Sequence, residues 1–576
     1  MLDGSNAMTR LSSDSGESVM PYPDIVEYNE AIQHPNTAFI DPELKRGKVR
    51  ETNLGLPLAL SGGFALTYMV ETQGRKLAVR CFHRQVPAAE SKYAAIASKV
   101  NSVRNHYFVD FAYLPNGIKV KNGIYPIVRM DWVEGDTLGI YLDKNAERPE
   151  KIRKLRSEFQ ILAAYLERER IQHGDIQNGN VMISNGSVRL IDYDGMYVPG
   201  MQTGAGDELG HKHFQHPNRS SSDFGPKMDR FSFIAVDLSL MALIEDGALH
   251  KRFREGGETI LFKANDFADP HNSEVFRLFL SKPSLKQPIL SFTSICEASI
   301  DAVPTLADFL SGRNIPRPRT PKVATGLQQI PLVQKTVGYI SPFDVVDAKD
   351  FQDALSKVGN RVELIGQIVA VKEGIGRRGR GRGKPFVFIN FGDWKGDIAK
   401  VTIWSEGLSQ LVESPSERWV GKWISVVGLI DPPYHGKHYG FHYTHVGITI
   451  TDSNQINFLD EKEARFRLAS IGGLQPKPDN KGILSRILGT KPPSAPATPV
   501  GPTPKSGVSG KSANTRVLEE IKRRQSGAVP SLTPTGTGHV TRSKPAPVQP
   551  QHSSGITPWL WIIVGLIILY LFVLRH

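Results

Sequence analysis

The sequence predicts a mixed α+β protein with two folded regions, and three observations lead to this prediction. Residues 24–313 alternate strand-like and helix-like patterns separated by turn residues, whereas residues 344–453 read mainly as strands. A proline-rich break lies between the two regions. The chain of 576 residues is 40% hydrophobic and 22% charged, which is typical of folded soluble domains and leaves room for two or three of them.

Two segments that flank the first region are predicted to lack a fold of their own. Residues 1–23 are polar and mixed, with no apolar stretch like that of a signal peptide, so we expect them to be disordered. Residues 314–343 begin with the run Asn314-Ile-Pro-Arg-Pro-Arg-Thr-Pro321, whose three prolines forbid a helix and favour an extended linker.

Residues 475–556 are predicted to be a disordered, basic linker. They hold 13 of the 39 prolines and carry 12 lysines and arginines against three acids, a net charge of +9. Because three quarters of the total charge of +12 lies in this segment, the overall charge says little about nucleic-acid binding by the folded regions. The only cysteines, Cys81 and Cys296, exclude a disulfide framework and a cysteine-based zinc module and indicate a reducing compartment.

Residues 557–574 are predicted to form a C-terminal transmembrane helix. Trp559 to Leu574 is a run of 16 residues without a charge, which spans about 24 Å as a helix, against a hydrocarbon thickness of about 30 Å. Trp559, Trp561 and Tyr570 lie near its ends, as in an aromatic belt. The sequence therefore predicts a single-pass tail anchor that leaves the bulk of the chain on the cytoplasmic side.

The strongest chemical signal is the run His173-Gly-Asp-Ile-Gln-Asn-Gly-Asn180, which places a carboxylate and an amide five residues apart. An Asn185-Gly186 pair then predicts a tight hairpin, and the strand after it leads to Asp192. Phosphoryl transfer uses such groups, because one carboxylate orients the acceptor hydroxyl while an amide and a second carboxylate hold Mg²⁺ against the phosphates. Asp175, Asn180 and Asp192 are therefore the candidate catalytic residues.

These residues and several further segments resemble the protein kinase superfamily, in an atypical bacterial-type form. The loop resembles H-R-D-L-x-x-x-N, and the strand end at Asp192 resembles D-F-G. Other similar segments follow the kinase order: Ser61-Gly-Gly-Phe-Ala65, Leu77-Ala-Val-Arg80, Ile127-Val-Arg-Met-Asp-Trp-Val-Glu-Gly135, residues 210–218 and Asp229-Arg-Phe-Ser232. His-Gly-Asp also occurs in small-molecule phosphotransferases, but the extended segment 210–218 favours the protein kinase branch.

The resemblance implies a bilobal kinase-like domain over residues 24–313 that uses ATP and Mg²⁺ to phosphorylate serine or threonine of a protein substrate. It implies that Asp175 deprotonates the acceptor hydroxyl and that Asn180 and Asp192 are metal ligands. It also implies nucleotide contacts from a phosphate loop, a phosphate-binding cation and a hinge, which are Gly62, Gly63, Arg80, Met130, Asp131 and Val133.

Departures from the kinase pattern leave a second function open. Arg80 replaces the lysine of V-A-I-K, which keeps the charge but is not an equivalent exchange. Gly174 replaces the arginine that pairs with an activation-loop phosphate. Glu90 is the candidate partner of Arg80 in the following helix, and Asp194 competes with Asp192 for the metal. The alternative is a nucleotide-binding pseudokinase scaffold that recruits nucleic acid or protein partners at the membrane.

Three histidines lie in the segment that corresponds to the substrate-side loop of kinases. His211, His213 and His216 have no cysteine near them in the sequence, and the kinase resemblance already accounts for this segment. We therefore expect them to fix the loop through hydrogen bonds rather than to bind zinc.

Residues 344–453 resemble a small OB-fold-like β-barrel. Strand patterns over 362–372, 386–391 and 399–404 precede a short helix at 406–412, and strands over 423–430 and 437–450 follow it. This order of three strands, one helix and two strands within about 100 residues supports the comparison.

A basic loop over residues 376–384 is the candidate ligand contact of this second region. It carries five positive charges and no acid, from Arg377, Arg378, Arg380, Arg382 and Lys384. A cationic, glycine-rich loop can follow phosphates, so the predicted partner is nucleic acid or an anionic lipid headgroup. Trp394, Tyr434, Tyr439 and Phe441 are candidates for base stacking, but the alternation of Tyr439, Phe441 and Tyr443 favours a place in the barrel core.

Overall fold

The computed structural model describes residues 22–471 except 53–54, 62–64, 85–87, 318–336, 378–381, 412 and 439. The described residues have the predicted mixed α+β structure and contain three sheets. The predicted disordered segment 1–23 lies outside them apart from its last two residues, and the predicted linker 475–556 and membrane helix 557–574 lie outside them entirely. Within the described part of the chain, no helix has both the length and the apolar character that a membrane span requires.

A six-stranded antiparallel sheet forms the first part of the chain. Its strands are β1 (Lys48–Val49), β2 (Ala59–Ser61), β3 (Ala65–Thr72), β4 (Arg75–Phe82), β5 (Phe111–Val120) and β6 (Gly123–Asp131). They lie in the order β1-β3-β4-β6-β5, with β2 on β3. Four helices accompany them, α1 (Ile25–Ile32), α2 (Pro35–Ala38), α3 (Pro42–Lys45) and α4 (Ala89–Val103).

This sheet is covered on both faces. Side chains that point to either face can therefore be buried, so apolar residues occupy consecutive as well as alternate positions of its strands. The first three helices pack Tyr28 and Phe39 against Val70 and Val79 on one face. Helix α4 packs Tyr93 against the opposite face. The turn between β3 and β4 has positive φ at both Gln73 and Gly74, the backbone twist that a tight hairpin needs.

A mainly helical part follows and surrounds a three-stranded sheet. Its strands are β7 (Asp136–Thr137), β8 (Val181–Ser184) and β9 (Ser187–Leu190). Its helices are α5 (Leu138–Asn145), α6 (Pro149–Glu169), α7 (Arg230–Glu245), α8 (Ala248–Phe253), α9 (Ala264–Ala268), α10 (Glu274–Leu280), α11 (Pro283–Glu297) and α12 (Leu306–Leu310). The hairpin predicted at Asn185-Gly186 is confirmed, since both residues have positive φ and join β8 to β9.

An eight-stranded sheet forms the remaining part. Its strands are β10 (Asp344–Asp347), β11 (Arg361–Gln367), β12 (Ala370–Ile375), β13 (Pro385–Asn390), β14 (Ile398–Trp404), β15 (Trp423–His438), β16 (Phe441–Ile450) and β17 (Ile456–Leu459). Three helices accompany them, α13 (Phe351–Ser356), α14 (Ser405–Leu408) and α15 (Glu461–Leu468). The strand order is β10-β11-β15-β16-β14-β13-β12, with β17 on β15.

The order of these strands closes the sheet on itself. Strands β11 and β12 lie at opposite ends of the path β11-β15-β16-β14-β13-β12, yet they are two halves of one bent strand that are separated by residues 368–369. The buried side chains of both halves enter one core with Val387, Val401 and Ile448. The strand predicted over 362–372 is therefore a single bent strand that pairs with two different neighbours.

Strand β15 differs from the prediction. The sequence predicts a strand over 423–430 and a loop before a second strand at 437, but β15 continues to His438 and forms a long hairpin with β16. The pairing shifts register between Asp431 and Tyr434, where Pro432 and Pro433 lie. A bulge accommodates prolines, which cannot donate hydrogen bonds, so the strand bends there instead of ending.

The eight-stranded sheet extends beyond residue 453 and contacts the helical part. Strand β17 pairs with β15, and α15 packs beside β10 and β15. Arg467 of α15 lies 2.9 Å from buried Glu363 of β11 and also contacts Glu255, which precedes α9. Residues 22–471 belong to one compact unit, so these contacts position the second region beside the candidate site.

Candidate functional site

The loop of residues 173–180 is held by a buried aspartate. Asp229, at the start of α7, accepts hydrogen bonds from the backbone N–H groups of His173 and Gly174, the latter at 2.8 Å. Its own N–H donates to the Gln172 side chain at 3.0 Å. Burial raises the pKa of Asp229, and His173 and Arg219 oppose this rise. This single side chain therefore fixes the loop on α7, which is deeply buried.

Gly174 is required by the local backbone, which explains why no arginine occupies this position. Its φ is +83°, and a Cβ placed there would lie 2.1 Å from the carbonyl oxygen of Gly195. An arginine would need both a rare backbone conformation and a displacement of the turn that contains Gly195.

Asp175 and Asn180 are brought into direct contact. The Asn180 amide donates to Asp175 Oδ2 at 2.8 Å and to its carbonyl at 3.0 Å, and Gln177 donates to the same carboxylate at 2.6 Å. The other oxygen, Oδ1, accepts the backbone N–H of His211 at 2.7 Å. Both oxygens of Asp175 therefore have defined directions, and the carboxylate is only partly buried.

Asp192 lies beside this loop with its carboxylate on Arg80. The two segments are joined by a hydrogen bond of 3.1 Å from the Ile191 N–H to the Asn180 carbonyl. Arg80 Nη1 lies 2.5 Å from Asp192 Oδ1, and one third of the Asp192 side chain is exposed. The φ of Asp192 is +66°, a conformation that is uncommon outside glycine and that concentrates at functional sites.

Arg80 bridges two carboxylates rather than one. Its second nitrogen, Nη2, donates to Asp194, which also accepts the Tyr93 hydroxyl at 2.8 Å. Burial lowers the pKa of Arg80, but the charges of Asp192 and Asp194 outweigh it and raise the pKa overall. Burial raises the pKa of Asp194, and Arg80 opposes that rise. The sequence analysis treated Asp192 and Asp194 as rival metal ligands. In the structure both carboxylates contact the same cation, Arg80.

The predicted pairing of Glu90 with Arg80 is wrong. Glu90 is exposed in the first turn of α4, whereas Tyr93, one turn later, points inward and reaches Asp194. Residues three apart share a helix face, so periodicity does not separate these two positions; Glu90 lies in the exposed first turn of α4, whereas Tyr93 is buried against the sheet.

The hinge residues predicted from the kinase resemblance lie at the end of β6. Met130 is buried in the core beneath α4, and Asp131 donates its N–H to the Asp110 carbonyl at 3.1 Å. The Asp131 carboxylate pairs with Arg75 at 2.7 Å, and Val133 packs against the same core. Gly62 and Gly63, the predicted phosphate loop, lie outside the described residues.

The three histidines behave as predicted, as hydrogen-bonding residues of the loop. His211 Nε2 contacts Glu258 at 2.9 Å, His213 Nδ1 accepts the Ala264 N–H at 3.1 Å, and His216 Nε2 lies 3.1 Å from the Ile295 carbonyl. Across the residues that the structure describes, no group of three His, Cys, Asp or Glu side chains is arranged to hold a metal ion.

Glu208 is a site residue that the sequence did not indicate. It is partly buried, and its pKa is raised well above the usual range by burial and by the neighbouring charges of Asp194, Asp192 and Asp175. A fourth carboxyl group therefore faces the acidic cluster from the segment after Asp192. No motif distinguishes it, because its proximity depends on the fold of that segment.

A second candidate site is an aromatic surface on the outside of the closed sheet. We call this set the aromatic face: Phe386 and Phe388 of β13, Lys400 and Trp404 of β14, Tyr434 of β15, Tyr443 of β16 and Trp394 between β13 and β14. The ring centroids of Trp404 lie 5.9 Å and 6.0 Å from Phe386 and Phe388, and Trp394 lies 5.9 Å from Tyr443. The intervening residues Val387, Val401 and Ile403 are buried.

A lysine lies at the centre of the aromatic face. The Lys400 amino group is 4.3 Å from the ring centroid of Phe388 and 5.7 Å from that of Tyr434, which is 59% exposed. Burial lowers the pKa of Lys400, and Asp431 opposes this. A row of rings with a cation between them matches the surfaces on which unpaired bases stack.

The expectation that Phe441 and Tyr443 belong to the barrel core is wrong, and Tyr439 lies outside the described residues. Both rings are partly exposed and contact Trp394. The reason is that β16 joins β14 only from His445 onward, so residues 441–444 pair with β15 alone and project from the closed sheet.

The basic loop adjoins the aromatic face, because it connects β12 to β13. Arg377 and Arg382 are exposed, and Lys384 closes the loop by accepting the Gly376 N–H at 2.9 Å with its carbonyl. Arg378 and Arg380 lie outside the described residues.

Asp431 makes the stability of this region depend on pH. Burial raises its pKa to about 6, although Thr449 donates a hydrogen bond at 2.6 Å and Lys400 lies nearby. The native carboxyl binds its proton more tightly than the unfolded one, so its contribution is complete below about pH 4 and is lost as pH rises through 6. A pKa difference of about 2 between the folded and unfolded states corresponds to about 3 kcal/mol of stability.

Asp431→Asn is expected to make the urea midpoint of unfolding depend less on pH between pH 4.5 and 7.5. A variant whose midpoint depends on pH as strongly as that of the wild type would contradict this prediction.

The comparisons with known proteins do not assign the chain to a family. It matches no protein-family model, and no curated protein is significantly similar to it.

Proposed function

We propose that the chain is a protein serine/threonine kinase that uses ATP and Mg²⁺. The observation that carries this proposal is the carboxylate of Asp175, which Asn180, Gln177 and the His211 N–H hold in one orientation beside Asp192. A fixed, partly exposed carboxylate can accept the proton of an acceptor hydroxyl, which is the role of this residue in phosphoryl transfer. The resemblance of the surrounding motifs to protein kinases supplies the reaction class.

The remaining residues support binding of a nucleotide with its metal. One third of the Asp192 side chain is exposed although its Oδ1 contacts Arg80, and the Ile191 N–H joins this segment to Asn180, whose amide oxygen would be the second ligand. Mg²⁺ needs only one or two such protein ligands because water and phosphate complete its shell. Bound there, it would neutralise charge on the phosphates. Arg80 would hold phosphate oxygens, and the backbone of Asp131 and Val133 beside Met130 would bind the adenine.

A pseudokinase scaffold is the second candidate function, and one observation favours it. Arg80 contacts both Asp192 and Asp194, so the guanidinium already neutralises the carboxylates that a metal ion would approach. A metal must therefore displace Arg80 or use the exposed Asp192 oxygen.

Phosphate transfer separates the two candidates. The full chain in detergent micelles is incubated with γ-labelled ATP, Mg²⁺ and a mixed protein substrate, and nucleotide binding is measured in parallel. Acid-stable label on serine or threonine that requires Mg²⁺ supports the kinase. ATP binding without label above the level of Asp175→Asn supports the scaffold.

We further propose that residues 344–453 and the strand after them form an OB-fold-like barrel that binds single-stranded nucleic acid. The order β11-β15-β16-β14-β13-β12, with β14 parallel to β16, supports this fold. The aromatic face supports nucleic acid over an anionic lipid headgroup, because a row of partly exposed rings can stack bases whereas headgroups require only charge.

Replacing Tyr434 by serine is expected to weaken binding of a labelled 20-mer oligothymidylate by about tenfold, because stacking contributes roughly 1–3 kcal/mol per base. Phe458→Ser is the matched control, since Phe458 is 50% exposed on the same sheet but outside the aromatic face. Fluorescence anisotropy of the full chain at 150 mM salt measures both. Equal affinities for the two variants, or preferred binding to phosphatidylserine vesicles that Tyr434→Ser leaves unchanged, would reject the nucleic-acid proposal.

The membrane anchor at 557–574 and the cytoplasmic location of the folded regions stay proposals that rest on the sequence. Membrane flotation of the full chain and of a chain that ends at residue 556 tests them. Recovery of the shortened chain with the membranes would contradict the anchor.

A further inference from the structure

A series of contacts that begins at Arg361 links the second region to the candidate catalytic loop. Arg361, the first residue of β11, lies with Nη2 2.8 Å from Glu258 Oε1. Its guanidinium lies 4.8 Å above the ring of Phe343, which restricts its orientation. Glu258 comes from the helical part, between α8 and α9, so this ion pair joins the two regions.

Glu258 also contacts the segment that follows Asp192. Its second oxygen, Oε2, lies 2.9 Å from His211 Nε2, and the His211 side chain is buried. The ring of Phe343 also contacts His211, with centroids 5.7 Å apart. Burial raises the pKa of Glu258, but Arg361 and His211 lower it to about 2, so it is ionised at neutral pH.

His211 connects Arg361 and Glu258 to the carboxylate of Asp175. Its backbone N–H donates to Asp175 Oδ1 at 2.7 Å, while its ring is held by Glu258. The carboxylate of Asp175 thus receives two hydrogen bonds from within its own loop, from Gln177 and Asn180, and one whose donor is positioned by residues of two other segments.

A cavity of about 200 Å³ lies beside this series and is shared by both regions. It is bordered by Asn178 and Gly179 of the catalytic loop, by Glu258 and by Asn454 from the second region. Arg254 contacts Asn454 across the same boundary. The second region therefore reaches the side of the loop next to Asp175 at more than one point.

We propose that Arg361, Glu258 and His211 are positioning residues through which the second region orients Asp175. This inference rests on the proposed kinase function, because it assigns these residues a role in phosphoryl transfer. Arg361 holds Glu258, Glu258 holds the His211 ring, and the His211 N–H holds Asp175 Oδ1. The second region is then a component of the active site as well as a binding module.

The alternative is that Arg361 only stabilises the boundary between the regions. A purely stabilising residue would lower the thermal midpoint and the active fraction without changing the kinetics of the molecules that remain folded. A positioning residue changes kcat and leaves KM for ATP as it was, because it acts on the acceptor side and not on the nucleotide.

The test uses the full chain with Arg361→Met, the conservative Arg361→Lys and Glu258→Gln. Arg361→Met is expected to lower kcat by about ten- to a hundredfold, since a small misplacement of a reacting group has effects of this size, with KM for ATP within twofold. Arg361→Lys keeps the cation and is expected to recover most of the rate. Arg252→Met is the matched control, because its pair with Glu274 is exposed.

Hydrogen exchange of the peptide that contains His211 gives a readout without activity. Arg361→Met and Glu258→Gln are expected to speed exchange of the His211 amide by about tenfold, and Arg252→Met is expected to leave it unchanged. Normal kcat and normal His211 exchange in both variants would overturn the inference while the kinase function stands. A wild-type chain that transfers no phosphate would end the kinase function and the catalytic role, while faster His211 exchange would still show the positioning.

Discussion

Replacement of Asp175 by asparagine is expected to lower kcat for phosphate transfer by about 10²- to 10⁴-fold, the contribution of a general base. Asparagine has nearly the same shape and can still accept the His211 N–H, which lies 2.7 Å from Asp175 Oδ1. It cannot accept a proton from the acceptor hydroxyl. The loss should therefore appear in kcat, whereas the affinity for ATP should change little, because the proposed function assigns Asp175 to the acceptor side of the site.

Label incorporation and ATP binding are measured on the same preparation of the full chain. Asp301→Asn is the control, because Asp301 is exposed in the turn Ile300–Ala302. An Asp175→Asn chain that keeps the wild-type rate would refute the proposed role of Asp175. Equal background label in all three proteins would favour the pseudokinase scaffold.

Replacement of Arg467 by methionine is expected to lower the free energy of unfolding by about 3–5 kcal/mol, because it leaves a buried carboxylate without its cation. Arg467 and Glu363 have side-chain exposures of 5% and 3%. Glu363 also accepts hydrogen bonds of 2.8 Å from Tyr339, Ser341 and Ser425. These neutral donors orient the carboxylate but do not balance its charge.

Urea denaturation followed by tryptophan fluorescence measures this loss. Arg465→Met, two residues earlier on α15, is the control and should change the free energy of unfolding by less than about 0.5 kcal/mol, because its pair with Glu461 is exposed. Adding Glu363→Gln to Arg467→Met should restore part of the stability, since it removes the unpaired charge. An Arg467→Met chain as stable as the control would show that water or rearrangement compensates this charge.

Local sequence rules predicted the α+β class and the hairpin that follows the loop of residues 173–180. The run from His173 to Asn180 predicted a loop with a carboxylate and an amide five residues apart, and the structure adds that Asn180 contacts Asp175 at 2.8 Å. The pair Asn185-Gly186 predicted its hairpin because positive φ at both positions is favourable for these residues. Such features depend on neighbours within a few residues.

Partners that come from distant segments were not predictable in the same way. Arg80 and Asp194 are 114 residues apart, and only the packing of α4 on the sheet showed that Tyr93, not Glu90, faces them. Period-2 patterns predicted which residues of a strand share a face. They also favoured the barrel core for Phe441 and Tyr443, whose rings are in fact partly exposed. Their exposure depends on where β16 leaves β14, which is a property of the register.

The sequence by itself determined the α+β class and the hairpin at Asn185-Gly186, because each follows from composition, periodicity or spacing along the chain. Only the tertiary structure decided that Arg80 holds two carboxylates, that a row of rings faces outward, and that Arg361 is connected to Asp175 through Glu258 and His211. The physical reason is that charges, rings and hydrogen-bond donors act over a few ångströms. Which of them meet is set by how the sheets close and pack, and no local pattern records that.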